Sequence, residues 1–274
     1  MPPAAGAALT ISCAFVAAWE RALTPVTTRI VVIAGSCLVA GCATPSRSLT
    51  TYKPADPKGI VIVVNGGGGL TGTSDALAKE IKNSRMPLYV RTHDWSHGLG
   101  QIVDDMTDEE HAQCEARKLA DLIMSYRGRF PDMPVSVVSH SAGTYIALEA
   151  TKSLPPDSID ELVLLAPAVS ASYDLRPALV AAKRVDSFSS HRDGIFLGFG
   201  TSVLGTADGD RAPPAGRVGF DPPKADANLT SRFHQHPWDS SVRWTGNNGS
   251  HDGILRPKYL RAFVLPLLAT EPEA

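Results

Sequence analysis

The residues best suited to chemistry form the sequence Ser-His-Ser-Ala-Gly at 139–143, between two stretches of different periodicity. The β-branched run that starts at Val135 is typical of a buried strand, and the residues after Ala142 fit a helix. Ser141 therefore lies at a strand-to-helix turn, where its hydroxyl projects above the sheet and the first helical amides point into the same space. This arrangement suits a serine nucleophile.

Such a turn usually carries the pattern G-x-S-x-G, in which small residues let the strand and helix backbones pass closely. Gly143 keeps the second glycine, whereas Ser139 replaces the first. We expect His140 to point away from the site because its neighbour Ser141 points towards it. Serine and glycine are also common at strand-to-helix turns that do no chemistry, so this turn alone leaves that alternative open.

A glycine-rich turn at 65–72 follows the apolar run 58–64 and precedes a helical pattern. Consecutive glycines indicate that the backbone itself must approach something closely. In serine hydrolases built from alternating strands and helices, the corresponding loop provides an oxyanion-hole amide. Gly67 and Gly68 would have that role here.

The competing interpretation of this loop is a dinucleotide site. Gly67, Gly69 and Gly72 satisfy the pattern G-x-G-x-x-G, and Asp94 follows at roughly the expected distance of about twenty residues. However, chance matches are easy within a run of four glycines, and Asp94 belongs to a His/Asp/Trp/His cluster. The N-terminal region also has the pattern of an export signal, and an exported protein would meet little nicotinamide cofactor. We therefore expect no cofactor and keep a dinucleotide-binding oxidoreductase as the alternative.

That polar cluster follows a second predicted strand at 87–92. His93, Asp94 and His97 have metal-binding side chains, but no further pair with a recognisable zinc spacing follows them. We therefore expect no metal site. The interpretation that we favour is that His93, Asp94, Trp95 and His97 line a pocket.

An acid and a base for Ser141 are expected later in the chain, because hydrolases of this type carry them in the order serine, acid, histidine. Asp193 comes just after the predicted strand 183–189, where a loop carboxylate can reach over the sheet, whereas Asp186 would lie within that strand. His251 lies in a loop rich in Gly and Asn before the last predicted helix, from which it can approach Ser141. The less favoured candidates are Asp174, Asp208, Asp210, His234 and His236.

Strand-like and helical patterns alternate along the chain in the order βαβαβαβαβ. This order predicts an α/β fold, with a mostly parallel sheet and helices on both faces. The predicted strands are 58–64, 87–92, 135–138, 159–166 and 183–189, and the predicted helices include 108–127, 174–182 and 254–268. The glycine loop, the polar cluster and Ser141 all fall near the carboxyl end of a predicted strand, where sheets of this kind have their sites.

The composition is that of one ordinary globular domain, with 274 residues of which 43% are hydrophobic and 20% charged. A net charge of -2 gives no reason to expect nucleic acid as a partner. A segment at 198–228 rich in Gly, Pro and Asp is either a cap or lid beside the pocket or a plain loop.

The N-terminal region has the pattern of an export signal. Arg29 precedes an apolar segment at 30–40 that is too short to span a bilayer but suits the core of a signal peptide. The following residues, up to Cys42, resemble the lipobox of bacterial lipoproteins, in which the cysteine is acylated after cleavage. We therefore expect a leader at 1–41, a tether at 42–57, a domain at 58–270 and a membrane-anchored lipoprotein of the bacterial cell envelope. A secreted or periplasmic protein is the alternative.

Several of these motifs together resemble the α/β-hydrolase superfamily, on its esterase and lipase-like side, over residues 58–268. The motifs are Gly66 to Gly69, Asp94 to Gly98, Ser139 to Gly143, Arg192 to Gly194 and Ser250 to Asp252. The resemblance implies a Ser141 nucleophile with Asp193 and His251 as partners, and an oxyanion hole made by the Ala142 amide and the glycine loop. It also implies hydrolysis of a small ester or lipid-like substrate through an acyl-enzyme. A non-catalytic envelope protein with the same fold remains a further alternative.

Overall fold

The computed structural model describes residues 49–194 and 205–268. Within this part of the chain, one sheet contains seven strands in the order β1-β3-β2-β4-β5-β6-β7. The strands are β1 Leu49–Tyr52, β2 Gly59–Val64, β3 Leu88–His93, β4 Val135–His140, β5 Ile159–Leu165, β6 Ala182–Ser189 and β7 Phe233–Pro237. All neighbouring strands are parallel except β1, which is antiparallel to β3. The predicted leader, with its lipobox and Cys42, lies outside the described residues.

Helices connect the parallel strands. They are α1 Gly72–Asn83, α2 Ile102–Thr107, α3 Glu109–Arg129, α4 Gly143–Thr151, α5 Arg176–Ala181, α6 Ala215–Val218 and α7 Ala227–Thr230. Two 3₁₀ helices follow at Ser240–Thr245 and His251–Leu255. The C-terminal helical segment then consists of α8 Pro257–Tyr259, a π-helical turn at Leu260–Val264 and α9 Leu265–Leu268.

Both faces of the sheet are covered, which explains the β-branched composition of its central strands. All six residues of β2 are buried, and its side chains alternate between two hydrophobic cores. Ile60 and Ile62 face the core formed with α3, α4 and α5, and Val61 and Val63 face the core formed with α1 and the C-terminal segment. The prediction of an α/β fold with a mostly parallel sheet and helices on both faces is therefore confirmed.

The strands at the two edges of the sheet were not predicted. β1 lies within the segment that we predicted to be a tether, so the domain begins earlier than residue 58. β7 lies in a segment for which we predicted no strand, and its residues are half-buried or exposed. An edge strand buries less apolar surface than a central strand, and its sequence therefore carries a weaker pattern.

No helix in the described ranges is long and apolar enough to cross a membrane.

Candidate active site

Ser141 occupies the sharp turn between β4 and α4. Its φ angle is 53°, in the left-handed region that residues with a Cβ seldom adopt. Hydrogen bonds hold the backbone on both sides of the turn: the Ser141 amide donates to the Leu165 carbonyl (3.0 Å), and the Ser141 carbonyl accepts from the amides of Thr144 (3.1 Å) and Ala168 (3.2 Å). Strain of this kind is common at functional turns because it projects one side chain away from the sheet.

The two small residues of the pattern differ in how tightly they are packed. A Cβ on Gly143 would lie 2.1 Å from the Asn65 carbonyl oxygen, so only glycine fits at the start of α4. The Ser139 side chain is fully buried, and its hydroxyl lies 3.4 Å from both Thr144 Oγ1 and the Val163 carbonyl oxygen. The strand side of the turn therefore has room for a serine, and the helix side does not.

His251 and Asp193 are paired. Asp193 Oδ2 lies 2.6 Å from His251 Nδ1, and both side chains are almost completely buried. Asp193 follows β6 by four residues, and His251 begins a 3₁₀ helix. Since a carboxylate only accepts hydrogen bonds, Nδ1 carries the proton, and Nε2 is the nitrogen that can act as a base.

The two loops that carry this pair are joined to each other. The Ser190 hydroxyl donates to the Gly249 carbonyl (2.7 Å), and Arg192 Nε donates to the Asn248 carbonyl (3.1 Å). These bonds tie the Asp193 loop to the loop that precedes His251. The pairing of Asp193 with His251 is therefore supported by side chains of the first loop that bind the backbone of the second, as well as by the contact between the two residues themselves.

Ser141 and His251 line the same cavity, whose volume is about 720 Å³. This size is typical of a small-molecule site. Most of its walls are apolar. Apolar side chains on several elements contribute: Leu70, Ile102, Val103, Met106, Ala142, Ala168 and Leu255.

His140 also lines this cavity, contrary to our expectation that it points away. Its ring packs against the His251 ring with a centroid distance of 4.8 Å. The strand ends at His140, so the strict alternation of side chains no longer holds at Ser141. Burial lowers the pKa of His140 to about 3, helped by the nearby charge of His251. His140 is therefore a neutral ring beside the candidate base at physiological pH.

The glycine loop borders Ser141 through Gly66 and Gly67, whereas we predicted Gly67 and Gly68. Gly66 and Gly67 line the cavity, and a Cβ on Gly66 would lie 3.3 Å from Ser141 Cβ. The amide of Gly68 donates to Asp105 Oδ2 (2.7 Å) and is thus already engaged. We therefore keep Gly67 as an oxyanion-hole candidate and withdraw Gly68. Gly66 escaped prediction because nothing in a run of four glycines distinguishes one from another.

His93, Asp94, Trp95 and His97, which we predicted to line a pocket, are not among the residues that line the cavity around Ser141. The cluster instead lies behind the glycine loop. Trp95 Nε1 donates to the Asn65 carbonyl (2.8 Å), His97 contacts Asp105, and the fully buried His93 lies 3.4 Å from Glu115.

Helix α2, rather than the polar cluster, forms part of the apolar wall of this cavity. Its residues Ile102, Val103 and Met106 are spaced so that they share one face of a helix and line the cavity. This spacing is visible in the sequence. It escaped prediction because a stripe within a helix of six residues is too short to stand out.

The described part of the predicted lid, residues 205–228, packs against the loop after β5. Hydrogen bonds join the amides of Ala207 and Ala215 to the carbonyls of Ala168 and Val169, both at 2.8 Å. None of the residues 205–228 lines the cavity around Ser141. The rest of the predicted lid lies outside the described residues.

A nucleophile turn after a central strand, followed in the chain by an acid and a histidine on later loops, is the arrangement of the α/β-hydrolase class. A family model described as serine aminopeptidase, S33, matches residues 55–192, half of the chain. The chain therefore belongs to this family of α/β hydrolases. The matched range contains Ser141 but ends before Asp193 and His251. Family membership favours the hydrolase interpretation of the glycine loop over the dinucleotide interpretation.

Two curated relatives share part of the sequence. A monoglyceride lipase homolog of monkeypox virus is 28% identical over 138 residues, which are 48% of this chain and 47% of the relative. The monoglyceride lipase of Rattus norvegicus is 28% identical over 135 residues, which are 48% of this chain and 43% of the relative. The chain thus matches less than half the length of these two proteins.

Solved structures of similar proteins include a protein from Thermus thermophilus and lipase B from Aspergillus fumigatus. The first is 14% identical with a TM-score of 0.49, over 83% of this chain and all of the other chain. The second is 16% identical with a TM-score of 0.47, over 81% of this chain and 57% of the other.

Proposed function

We propose that this protein is a serine hydrolase that cleaves carboxylic esters with Ser141 as the nucleophile, His251 as the base and Asp193 as the acid. The observation that carries the proposal is the 2.6 Å contact between His251 Nδ1 and Asp193 Oδ2, with the His251 ring in the same cavity as Ser141. Membership of a hydrolase family supports it.

The proposed mechanism follows from these roles. His251 Nε2 takes the proton of the Ser141 hydroxyl as its oxygen attacks the ester carbonyl, and Asp193 stabilises the imidazolium that forms. The amides of Ala142 and Gly67 face the oxyanion that develops, a contribution of about 3 kcal/mol for a well-placed donor in other hydrolases. The alcohol leaves with a proton from His251, and water then releases the acyl group from Ser141.

The proposed substrate is an ester with an apolar acyl group. The apolar side chains of α2, together with Leu70 and Leu255, offer such a group many contacts and few hydrogen bonds. The two curated relatives are lipases by name, whereas the family description refers to an aminopeptidase. Aminoacyl p-nitroanilides are therefore the substrates to compare with p-nitrophenyl esters.

A fluorophosphonate probe tests the nucleophile. We expect the purified protein to be labelled and to hydrolyse p-nitrophenyl butyrate, and we expect Ser141→Ala to lose both the labelling and the turnover. Ser125→Ala changes an exposed serine of α3 and should retain both. An unlabelled wild-type protein, or a Ser141→Ala variant that remains active, would contradict the proposal. An unlabelled protein without turnover would favour the non-catalytic alternative.

The anchoring of the protein to the bacterial cell envelope stays a proposal from the sequence. It is supported only by the lipobox-like pattern before Cys42. Mass spectrometry of the mature N-terminus, produced in a bacterial host, would show whether Cys42 is the first residue and carries acyl chains.

A further inference from the structure

A buried carboxylate on α2 faces the glycine loop. The Asp105 side chain is completely buried, although its neighbours Val103 and Asp104 are exposed. Asp105 Oδ2 accepts hydrogen bonds from the Gly68 amide (2.7 Å) and the Ser96 hydroxyl (2.6 Å). Each oxygen of a carboxylate has two lone pairs, so a single carboxylate can accept from two donors at both of its oxygens.

The other oxygen of this carboxylate binds a second pair of donors. Asp105 Oδ1 accepts from the His97 amide (2.8 Å) and lies 2.9 Å from His97 Nδ1. His97 Nε2 lies 3.2 Å from Asp108, the N-cap residue of α3, and the ring packs against His111 at 3.9 Å. Burial lowers the pKa of His97, but the hydrogen bonds and charges of Asp105 and Asp108 outweigh it, so that the net change is upward.

The same carboxylate lies on the side of Gly67 where a larger residue would carry its side chain. A Cβ placed on Gly67 would lie 3.5 Å from Asp105 Cβ and Oδ2, and 3.5 Å from Ile102. The Gly68 carbonyl also accepts a hydrogen bond from the Gly100 amide (3.0 Å). The loop is thus held at both backbone groups of Gly68, the residue next to the Gly67 amide.

We propose that Asp105 is a positioning residue that orients the Gly67 amide towards the oxyanion by holding the neighbouring Gly68 amide. This inference rests on the proposed function. Its physical basis is that an oxyanion hole works through donors fixed in place before charge develops. A loop of four glycines has little rigidity of its own, so the rigidity must come from its contacts.

The test compares two neutral variants of neighbouring carboxylates. Asp105→Asn keeps the shape of the side chain but places an NH₂ group against one of the two pairs of donors. Asp104→Asn removes the same charge from the exposed side of α2 and serves as the matched control. The measurements are kcat and KM for p-nitrophenyl butyrate, and the inhibition constant of a trifluoromethyl ketone, whose serine adduct carries an oxyanion.

We expect Asp105→Asn to lower kcat about 10- to 100-fold, less than or equal to the loss of a whole oxyanion donor. KM should stay within about twofold, because the interaction affected is made mainly in the transition state. The inhibition constant should rise in parallel with the loss in kcat. Asp104→Asn should match the wild type. Equal kcat values for the two folded variants would overturn the inference.

A milder variant covers the case in which Asp105→Asn does not fold. Ser96→Ala removes one donor to Asp105 and leaves the carboxylate, so we expect a decrease in kcat of about threefold, well short of a full donor loss. An unchanged kcat in that variant would overturn the inference.

The failure of the proposed function would look different. In that case the wild type itself would neither hydrolyse esters nor react with a fluorophosphonate. Hydrogen exchange at the Gly68 amide would then decide whether Asp105 holds the loop. Faster exchange in Asp105→Asn than in Asp104→Asn supports this role, and equal exchange overturns it.

Discussion

Ser141 and the residues around it differ in conformation and protonation because each has a different environment. Ser141 adopts a left-handed backbone conformation that turns its hydroxyl towards the cavity. His140, one residue earlier, is kept neutral by burial. The ring of His251 packs against that neutral neighbour on one side and contacts Asp193 through Nδ1. A base whose ring is held in this way loses little entropy when it takes a proton in the proposed reaction.

Two buried carboxylates, Glu161 of β5 and Asp186 of β6, lie on neighbouring strands away from the cavity. Burial raises the pKa of Glu161 to about 9, with further contributions from the hydrogen bond and charge of Asp186. Burial would also raise the pKa of Asp186, but its hydrogen bonds with His236, Arg184 and Glu161 lower it. Glu161 Oε1 has no hydrogen-bond partner among the described residues. The pair therefore holds one proton at neutral pH, mainly on Glu161.

We predict that Glu161→Gln stabilises the protein increasingly as the pH rises. Between the ordinary Glu pKa of 4.5 and about 9, the folded wild type holds a proton that the unfolded chain lacks, so its stability falls with pH. Gln mimics the protonated side chain and takes up no proton. The advantage of the variant should be absent below pH 4.5 and constant above about 9. Urea unfolding at several pH values measures it.

Glu110→Gln on the exposed side of α3 is the control for this experiment. Its unfolding free energy should follow that of the wild type at every pH. A constant difference between Glu161→Gln and the wild type across the range would contradict the assignment of the proton to Glu161.

At the scale of elements, the six residues of α2 contact two parts of the candidate site. Ile102, Val103 and Met106 line the cavity, and Asp105 reaches back to the glycine loop. In the proposed mechanism, this short helix contacts the acyl group and also holds the loop that carries an oxyanion donor. Such a helix has few backbone hydrogen bonds of its own, so its position depends on the buried Asp105 network.

We predict that Met106→Trp changes the preferred acyl chain length. The larger side chain fills part of the cavity, so kcat/KM for p-nitrophenyl decanoate should fall at least about tenfold relative to p-nitrophenyl acetate. Asp104→Trp places the same group on the exposed side of α2 and should leave the ratio unchanged. An unchanged ratio in Met106→Trp would show that the acyl group does not lie along α2.

At the scale of the whole molecule, an ion pair with a buried carboxylate connects two helical segments that are far apart in the sequence. Arg261, in the π-helical turn of the C-terminal segment, pairs with the buried Glu80 of α1 through Nη1 and Oε2. Glu80 is only 2% exposed. These two residues are 181 positions apart, and their contact joins the two elements that cover one face of the sheet.

We predict that Arg261→Met lowers the free energy of unfolding by about 1–3 kcal/mol, because Glu80 then remains buried with little to balance its charge. The double variant Glu80→Gln/Arg261→Met should recover part of this loss, as Gln is cheaper to bury than a carboxylate. Arg176→Met breaks an exposed ion pair with Asp174 and should lower the free energy of unfolding much less than Arg261→Met. Equal effects of the two single variants in chemical denaturation would contradict the prediction.

The sequence by itself determined the five central strands, the helices between them except α2, and the strand-to-helix turn at Ser141. Central strands are buried on both faces, so their apolar runs need no knowledge of their partners. The turn was recognisable because Gly143 must pass close to the Asn65 backbone, a constraint that allows only glycine. The edge strands β1 and β7 lacked such a signal because they are only half covered.

Only the tertiary structure decided which side chains meet. Asp193 was chosen by its position after a predicted strand and His251 by its position before a predicted helix, but their contact joins residues 58 positions apart. The direction of Trp95 and His97, the engagement of Gly68 by Asp105 and the wall formed by α2 all depend on packing between segments that are separate in sequence. Local patterns report how a residue is buried, whereas the partner of a buried polar group depends on which loops the fold brings together.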